Sequence, residues 1–506
     1  MNWERSTIAN NKVTSSTLME TAGRAVVSQI LDYYPRFTRC VILCGSGNNG
    51  GDGLVVARTL TTLHTKVLTF ILAKDRHSLS HDCLHQLALF ELSGGVVTWL
   101  SEHTSNSFLP ALLSTDILVD ALFGTGFSPP VMGWRADVIA QLSSPPCPVI
   151  SIDIPSGLDP DRSSLPAVHI KANHTITFGT LKPCHLFFPS AASCGSIHLA
   201  DIGLMGTPTE SKVNTICPTD LPALTRQHDT HKYNYGHVLI IAGSLGMSGA
   251  AVMAAKAALA TGAGLVTVMT DPKCVDVIAS QVPAAMVMPY VDDLLIGTMI
   301  VDKKVTSVLM GPGLDKSEAA IAILKSLINV DVALILDGTA LTLLAENKKL
   351  HAAFRCRTSP TILTPHTGEA SRLLSESSEN INLDPIVAVK ALFDKLLAST
   401  IIKGARTVIA TSDNAIWVNT TGNAGMATGG SGDVLSGMVA SLIHQFGVVE
   451  GVKLGCYAHG LAGDLAAKVM GQLSLSPLDI IVYLPLAFAE ITRRQRVYVP
   501  SLIETL

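Results

Sequence analysis

The chain has 506 residues, of which 48% are hydrophobic and 15% charged, with a formal net charge of -4. That length exceeds what one hydrophobic core serves, so two or three globular domains are expected, and the composition excludes a disordered chain. The slight acidic balance gives no basic field for nucleic acid or anionic lipid, so small molecules are the expected partners, with no nucleic acid and no membrane.

In chain order, helical periodicity covers Thr17 to Leu31, a strand Cys40 to Cys44, a helix Gly51 to His64, a strand Lys66 to Leu72 and a helix Ser80 to Leu92. Strand and helix in alternation imply a parallel sheet. Further strands are expected at Asp116 to Ala121, Pro148 to Ile152 and His174 to Phe178, apolar enough to be covered on both faces. From Gly206 to Tyr235 the pattern lapses, and Pro208, Pro218 and Pro222 break any helix, so a linker is placed there. Strand His237 to Ala242, helix Ser248 to Ala260 and strand Gly264 to Met269 then open a second α/β region with a helix-rich end. The expected domains are 1–210 and 218–506. The uncharged run Val238 to Ala255 is long enough to suggest a membrane span, but its glycines and serines read better as strand, loop and helix.

Ten cysteines without a CxxC pair, in a chain of this length, argue against a disulfide framework. The opening Met1-Asn2-Trp3-Glu4-Arg5 has no apolar leader, and a cytoplasmic location is expected.

The stretch Cys44 to Gly53 runs from a strand into tandem glycines, two asparagines and one acid. Glycines there allow close backbone approach, and the amides and carboxylate converge where α/β sheets hold ligands. Gly45 to Gly50 also satisfies GxGxxG, with Asp75 at about the distance of a ribose-binding acid, which alone would suggest a nicotinamide-dependent dehydrogenase. Pyrophosphate binding does not explain Asn48, Asn49 and Asp52. Two more strand-end loops, Val119 to Phe127 and Ser151 to Asp159, would meet the first at one sheet edge. They bring Asn49, Asp120, Asp153 and Ser156 together as hard oxygen ligands for a cation, with a carboxylate available for proton transfer. The plainer reading is that the aspartates cap turns after strands.

The string Asn48-Asn49-Gly50-Gly51-Asp52-Gly53, the segment Asp120 to Phe127, Ile152-Asp153-Ile154-Pro155-Ser156-Gly157, and Thr177-Phe178 with Lys182-Pro183 resemble the NAD(P)H-hydrate epimerase family. That resemblance implies a Rossmann-like three-layer fold and interconversion of the R and S epimers of hydrated NAD(P)H. It implies that Asn48, Asn49, Gly50, Gly51 and Asp52, with Gly124, Thr125, Gly126, Phe127, Ser128, Pro129 and Pro130, line the nucleotide site. Asn49, Asp120 and Ser156 would hold potassium, and Asp153 would contact the substrate and carry the acid/base step.

A second Gly-rich loop, Thr428-Gly429-Gly430-Ser431-Gly432-Asp433, precedes the apolar helical run Val434 to Ile443. Backbone N–H groups at a helix start form an anion hole, and an adjacent aspartate can take a hydroxyl proton during phosphoryl transfer. No Walker A pattern occurs. With Met310-Gly311-Pro312-Gly313-Leu314, Leu363 to Glu369, Ile402 to Thr407, His231 to Gly236 and Ala242 to Ala251, this loop resembles the ADP-dependent NAD(P)H-hydrate dehydratase family, of ribokinase-like fold. The resemblance implies Asp433 as the base and Gly429, Gly430, Ser431 and Gly432 as the phosphate cradle. Lys403, Gly404, Ala405, Arg406 and Thr407 would hold the adenine nucleotide, and Ala250, Gly313, His366 and Asp433 the hydrate, with magnesium and ADP as cofactor and co-substrate. Asp337-Gly338-Thr339-Ala340-Leu341 departs from the family's usual Asp-Ala-Asp-Ala-Leu.

The combined resemblance implies a bifunctional repair enzyme for NADHX and NADPHX, expected as a homo-oligomer. Its rivals are a small-molecule kinase with a regulatory N-terminal half, and a first half that only binds. His77, His81 and His85 could present a zinc face but read better as a solvated helix, and Cys40 and Cys44 as core hydrophobes.

Overall fold

The computed structural model describes residues 7–9, 13–102, 112–205, 213–290 and 295–496. The described residues divide into two compact units, one within 1–210 and one within 211–499.

In the first unit, β1 (Cys40–Cys44), β2 (Val67–Leu72), β3 (Val97–Leu100), β4 (Ile117–Ala121), β5 (Val149–Ile152), β6 (His174–Phe178) and β7 (Ser196–Ala200) form one sheet in the order β3-β2-β1-β4-β5-β6-β7. Every pairing is parallel. Side-chain alternation along β1 splits its residues between two layers. Cys40, Ile42 and Cys44 pack with Val26 and Ile30 of helix Ser15–Tyr33, Leu54 of helix Asn48–Thr62 and Leu87 of helix His81–Leu92. Val41 and Leu43 face the opposite cluster, with Val138 and Ile139 of helix Trp134–Gln141. Both faces are therefore covered, which is why the strands are continuously apolar. Strand order reverses between β1 and β4, and the crevice beyond their carboxyl ends is where such a sheet takes ligands.

Two outer strands, β3 and β7, carry no clear sequence signal because half their residues face solvent or polar neighbours. The helix after β1 begins at Asn48, three residues before the start read from the sequence. Gly50, Gly51 and Gly53 thus lie on its first turns, Gly50 and Gly53 pressed against the end of β1 and the sheet and Gly51 against Met19 and Cys83 of the flanking helices. A Cβ on Gly50 would sit 2.0 Å from the Gly45 carbonyl oxygen. Close approach, rather than loop flexibility, explains that glycine.

The second unit contains β8 (Val213–Thr215), β9 (His237–Ile241), β10 (Leu265–Thr270), β11 (Met286–Pro289), β12 (Ser307–Met310), β13 (Ala333–Leu336), β14 (Thr361–Leu363), β15 (Ser399–Ile402), β16 (Val408–Ala410) and β17 (Ile416–Val418). Their order is β11-β10-β9-β12-β13-β14-β15-β16-β17-β8, with antiparallel pairing only at β15-β16-β17. The supposed linker is thus partly structured, since β8 lies within it and pairs with β17. Helices Ser248–Ala260, Ser431–Phe446, Val448–Met470 and Pro477–Arg496 share one core over this sheet, through residues such as Ala254, Met438, Leu454 and Leu484. Val238 to Ala255 resolves into strand, turn and helix, and among the described residues no helix is long and apolar enough to cross a membrane.

Candidate functional sites

At the first switch point three strand ends deliver the expected residues to one place. Asn49 follows β1 on the helix's first turn and donates its amide Nδ2 to the Ile152 carbonyl oxygen at 3.1 Å. Asp120, the fourth residue of β4, is buried and takes four neutral donors: Ser156 Oγ at 2.5 Å, Ser156 N at 2.8 Å, Ser151 Oγ at 2.8 Å and Leu122 N at 3.3 Å. Burial pushes its carboxyl up, and the Ser156 and Ser151 hydrogen bonds offset part of that rise. No ion pair compensates it among the described residues. A buried carboxylate with only neutral donors, beside the Ser156 hydroxyl and the Asn49 amide, is a hard-oxygen set that fits an alkali cation.

Asp153 follows β5 in the left-handed region, φ 67°. Aspartate tolerates that conformation better than most residues. Its Oδ2 accepts Thr125 N at 3.2 Å, so the loop after β4 is tied to it. Oδ1 accepts Lys182 Nζ at 2.6 Å and Thr177 Oγ1 at 3.1 Å. Burial raises the Asp153 carboxyl, but Lys182, by charge and hydrogen bond, outweighs it and holds the group below its ordinary value. Lys182 also donates to Thr177 Oγ1 at 2.6 Å and to the Phe178 carbonyl at 3.2 Å. His185 Nε2 donates to the Asp153 carbonyl oxygen at 3.0 Å.

Gly124 to Pro130 form the partly exposed loop beyond β4, with Phe123 and Phe127 stacked 4.4 Å apart. Asn48 accepts Ser80 Oγ at 2.9 Å, and Asp52 is half-buried on the first turn. Asp75 caps the turn Arg76–Ser78, accepting Ser78 N at 3.0 Å, so the ribose-acid reading has no support. His77, His81 and His85 are exposed, and Cys40 and Cys44 are wholly buried. All ten cysteines are free thiols.

In the second unit the switch point lies between β9 and β12. A cavity of about 440 Å³ there is lined by Ala250, Gly313, Gly429, Gly430 and Asp433 among others. Gly430, at φ 102°, forms the left-handed N-cap of helix Ser431–Phe446, which directs the first amides of that helix outward. Asp433 is on its first turn.

Lys403, just past β15, reaches across to Asp337 beyond β13, Nζ to Oδ1 2.6 Å. A Cβ on Gly432 would lie 3.1 Å from that Nζ, so the ammonium sits against the helix start. Burial lowers the Lys403 pKa, but Asp337, Glu369 and Asp433 together raise it above its ordinary value. Burial, then Asp337, push the Asp433 carboxyl up to about 7, with Glu369 adding and Lys403 opposing. Three carboxyls thus share one ammonium.

His366 N-caps helix Thr367–Leu374, its Nδ1 accepting Gly368 N at 2.9 Å, while Glu369 Oε2 accepts His366 N at 2.9 Å. Residues 366 and 403 are joined by a parallel bridge, which brings His366 beside Lys403. Gly404 and Ala405 are exposed, and Arg406 and Thr407 half-buried, in the turn between β15 and β16. Thr339 is not idle where the family commonly carries an acid: its hydroxyl donates to the Leu314 carbonyl at 2.7 Å and pins the Pro312–Leu314 turn.

Sequence reasoning gave no role to Lys182, Thr177, His185, Asp337 or Glu369. For Lys182 the available signal was its position a few residues past β6, at the same edge as the other loops.

Each unit is thus a doubly wound α/β domain that gathers buried polar and charged groups at its switch point, the form of an enzyme acting on nucleotides. Residues 15–184 match the family described as YjeF-related protein N-terminus, and 238–486 the family described as NAD(P)H-hydrate dehydratase. The bifunctional NAD(P)H-hydrate repair enzyme Nnr of Thermofilum pendens is 35% identical, covering 94% of this chain and 92% of that protein. The Moorella thermoacetica protein of the same name is 36% identical with the same coverage. A ribokinase-like superfamily protein from Enterococcus faecalis V583 has a TM-score of 0.50 at 29% identity, covering 57% of this chain and 100% of that one. The chain belongs to the family of bifunctional NAD(P)H-hydrate repair enzymes. Because these relatives match across both halves, a kinase with a merely regulatory first half is not favoured.

Proposed function

We propose that the first cleft epimerises hydrated NAD(P)H through Asp153 and Lys182, and that the second dehydrates the S epimer at the expense of ADP through Asp433. The observation that carries this reading is the contrast between two half-buried aspartates. Asp153 is held ionised by Lys182, whereas Asp433 is poised near neutrality by burial and surrounding carboxylates.

Hydration leaves a hydroxyl on a ring carbon next to nitrogen. That carbon is inverted when its C–O bond breaks and re-forms on the other face, with a proton delivered to the departing oxygen and taken back from the returning water. The Lys182–Asp153 pair is the group at this edge able to give and retrieve that proton. Asn49, Asp120 and Ser156 would hold potassium, which would supply a positive field for substrate oxygens. Asn48 to Asp52 and Gly124 to Pro130 would bracket the dinucleotide.

In the second cleft Asp433 takes the proton from the ring hydroxyl as its oxygen attacks the β-phosphorus of ADP, and AMP leaves. The C–O bond then breaks, phosphate departs with that oxygen, and a proton is lost from the adjacent carbon to restore NAD(P)H. The amides at Gly429 to Gly432 and Lys403 stabilise the transferring phosphoryl group, and magnesium would add charge compensation on its oxygens. Ala250, Gly313 and His366 would bound the hydrate, and Lys403 to Thr407 the adenine nucleotide.

A reduced, cytoplasmic setting is supported by the ten free thiols. A homo-oligomer is supported by the exposed stripe of Leu478, Val482 and Leu486 on helix Pro477–Arg496. The test is to replace each aspartate separately. Asp153→Asn should abolish epimerisation and spare dehydration of the S epimer, and Asp433→Asn the reverse; survival of both activities in either variant would refute the assignment.

A further inference from the structure

The Gly429–Asp433 turn is not held by its own strand and helix alone. It rests on helix Val448–Met470, which lies outside every loop singled out in the sequence. Approaching that turn, the chain is fastened to this helix repeatedly. Asn419 Nδ2 donates to the Cys456 carbonyl at 3.1 Å and Thr421 Oγ1 to the Tyr457 carbonyl at 2.9 Å. Gly422 N and Asn423 Nδ2 both donate to the Asp464 carboxylate at 2.9 Å. The helix is pared down to admit this strap: a Cβ on Gly460 would lie 2.3 Å from Thr421 Oγ1, and one on Gly463 2.4 Å from Met426 Sδ.

Within the same face, His459 points at the start of the phosphate turn. Its Nε2 lies 3.5 Å from Ser431 Oγ, and the residue is buried, 8% exposed. Burial, with Lys403 nearby, drives its pKa down to about 4 against the raising effect of the Ser431 contact. A neutral ring suits the place, because the helix start and Lys403 already supply positive charge.

We infer that His459 is a positioning residue for the ADP site: it fixes Ser431, and through it the first turn that presents both the phosphate-binding amides and Asp433 in one geometry. This rests on the reading of Gly429–Gly432 as the nucleotide cradle, and the tests below separate the two. Loss of a hydrogen bond that orients an anion-binding group costs about tenfold in affinity.

The full-length protein is compared with His459→Phe, His459→Gln, Ser431→Ala, the His459→Phe/Ser431→Ala double variant and Gly429→Glu. ADP affinity is read by calorimetry, with kcat and KM for dehydration; the thermal unfolding transition of the second unit in the same samples reports that this unit is folded. The expected result is ADP binding weakened about tenfold in His459→Phe, restored to within about threefold in His459→Gln, and weakened no further in the double variant than in either single one. A Cβ on Gly429 would meet nothing within 4 Å, and Gly429 lines the cavity, so a glutamate there should abolish ADP binding by placing a carboxylate in the phosphate site. Should Gly429→Glu abolish binding while His459→Phe leaves it unchanged, the inference falls and the cradle reading stands. Unaltered binding in Gly429→Glu would overturn both. Equal losses in the Phe and Gln variants, with lowered melting temperature, would make His459 a packing residue and also overturn the inference.

Discussion

Replacing Lys182 by methionine removes the ion-pair partner of Asp153 while keeping the length of the apolar stem. Both side chains are 13% exposed and 2.6 Å apart, so their interaction is only weakly screened by solvent. Breaking a buried pair by deleting one member costs about 3–5 kcal/mol, because the remaining charge stays desolvated. For a unit of about 200 residues that corresponds to a melting temperature lower by roughly 6–20 °C. The pH dependence follows from the direction of the shift. In the parent protein Asp153 is held below its ordinary value, so its contribution to stability is present above the unfolded pKa and is lost only as pH falls through the folded one. In the variant, burial, the largest effect on Asp153, is opposed only by His185 and the Thr125 donor, and the carboxyl rises from its value in the parent. Its penalty is then relieved by protonation, so the gap in melting temperature between parent and variant should narrow as pH is lowered from 7 towards 5. Differential scanning calorimetry across that range, with epimerase rates on the same samples, checks both the size and the slope. A gap under about 2 °C that does not change with pH would refute the account of the pair.

Dehydration should require ionised Asp433, so its rate should rise with pH through about 7 in single-turnover measurements at saturating ADP. Glu369→Gln removes a negative neighbour of Asp433, and the rising limb of that profile should move to lower pH; a move upward would contradict the electrostatics of the cluster. Asp120→Asn should weaken the dependence of epimerisation on potassium by about tenfold or more while leaving dehydration unchanged, measured as initial rates across potassium concentrations. Thr339→Val should loosen the Pro312–Leu314 turn and raise KM for the hydrate more than it lowers kcat, since the hydroxyl acts only on the Leu314 carbonyl.

Most of the sheet was legible because parallel strands covered on both faces are continuous apolar runs, as in Cys40–Cys44 and Ile117–Ala121. Strands β3 and β7 were not, since sheet edges mix exposed and buried positions. Asn49, Asp120, Asp153 and Ser156 could be grouped because each follows a strand closely, and parallel topology sends all such ends to one edge. Lys182 could not be assigned from spacing, because its meaning depends on the left-handed turn at Asp153 and on the reach of its own side chain. The early start of the helix at Asn48 was hidden for a related reason: glycine usually marks a loop, and only the contacts of Gly50 and Gly53 reveal helix pressed on sheet. Ser431 was named from the Gly-rich motif, but its partner His459 lies on a helix whose sequence reads as ordinary core.

The most direct test of the bifunctional account is recovery of the near-ultraviolet absorbance of reduced nicotinamide after the protein is given an epimer mixture of hydrated NADH with ADP, magnesium and potassium. The account predicts complete, ADP-dependent recovery faster than spontaneous epimerisation. Rapid recovery of the S fraction alone would contradict catalysis by the first unit, and no recovery, with a phosphorylated product accumulating, would contradict dehydration by the second.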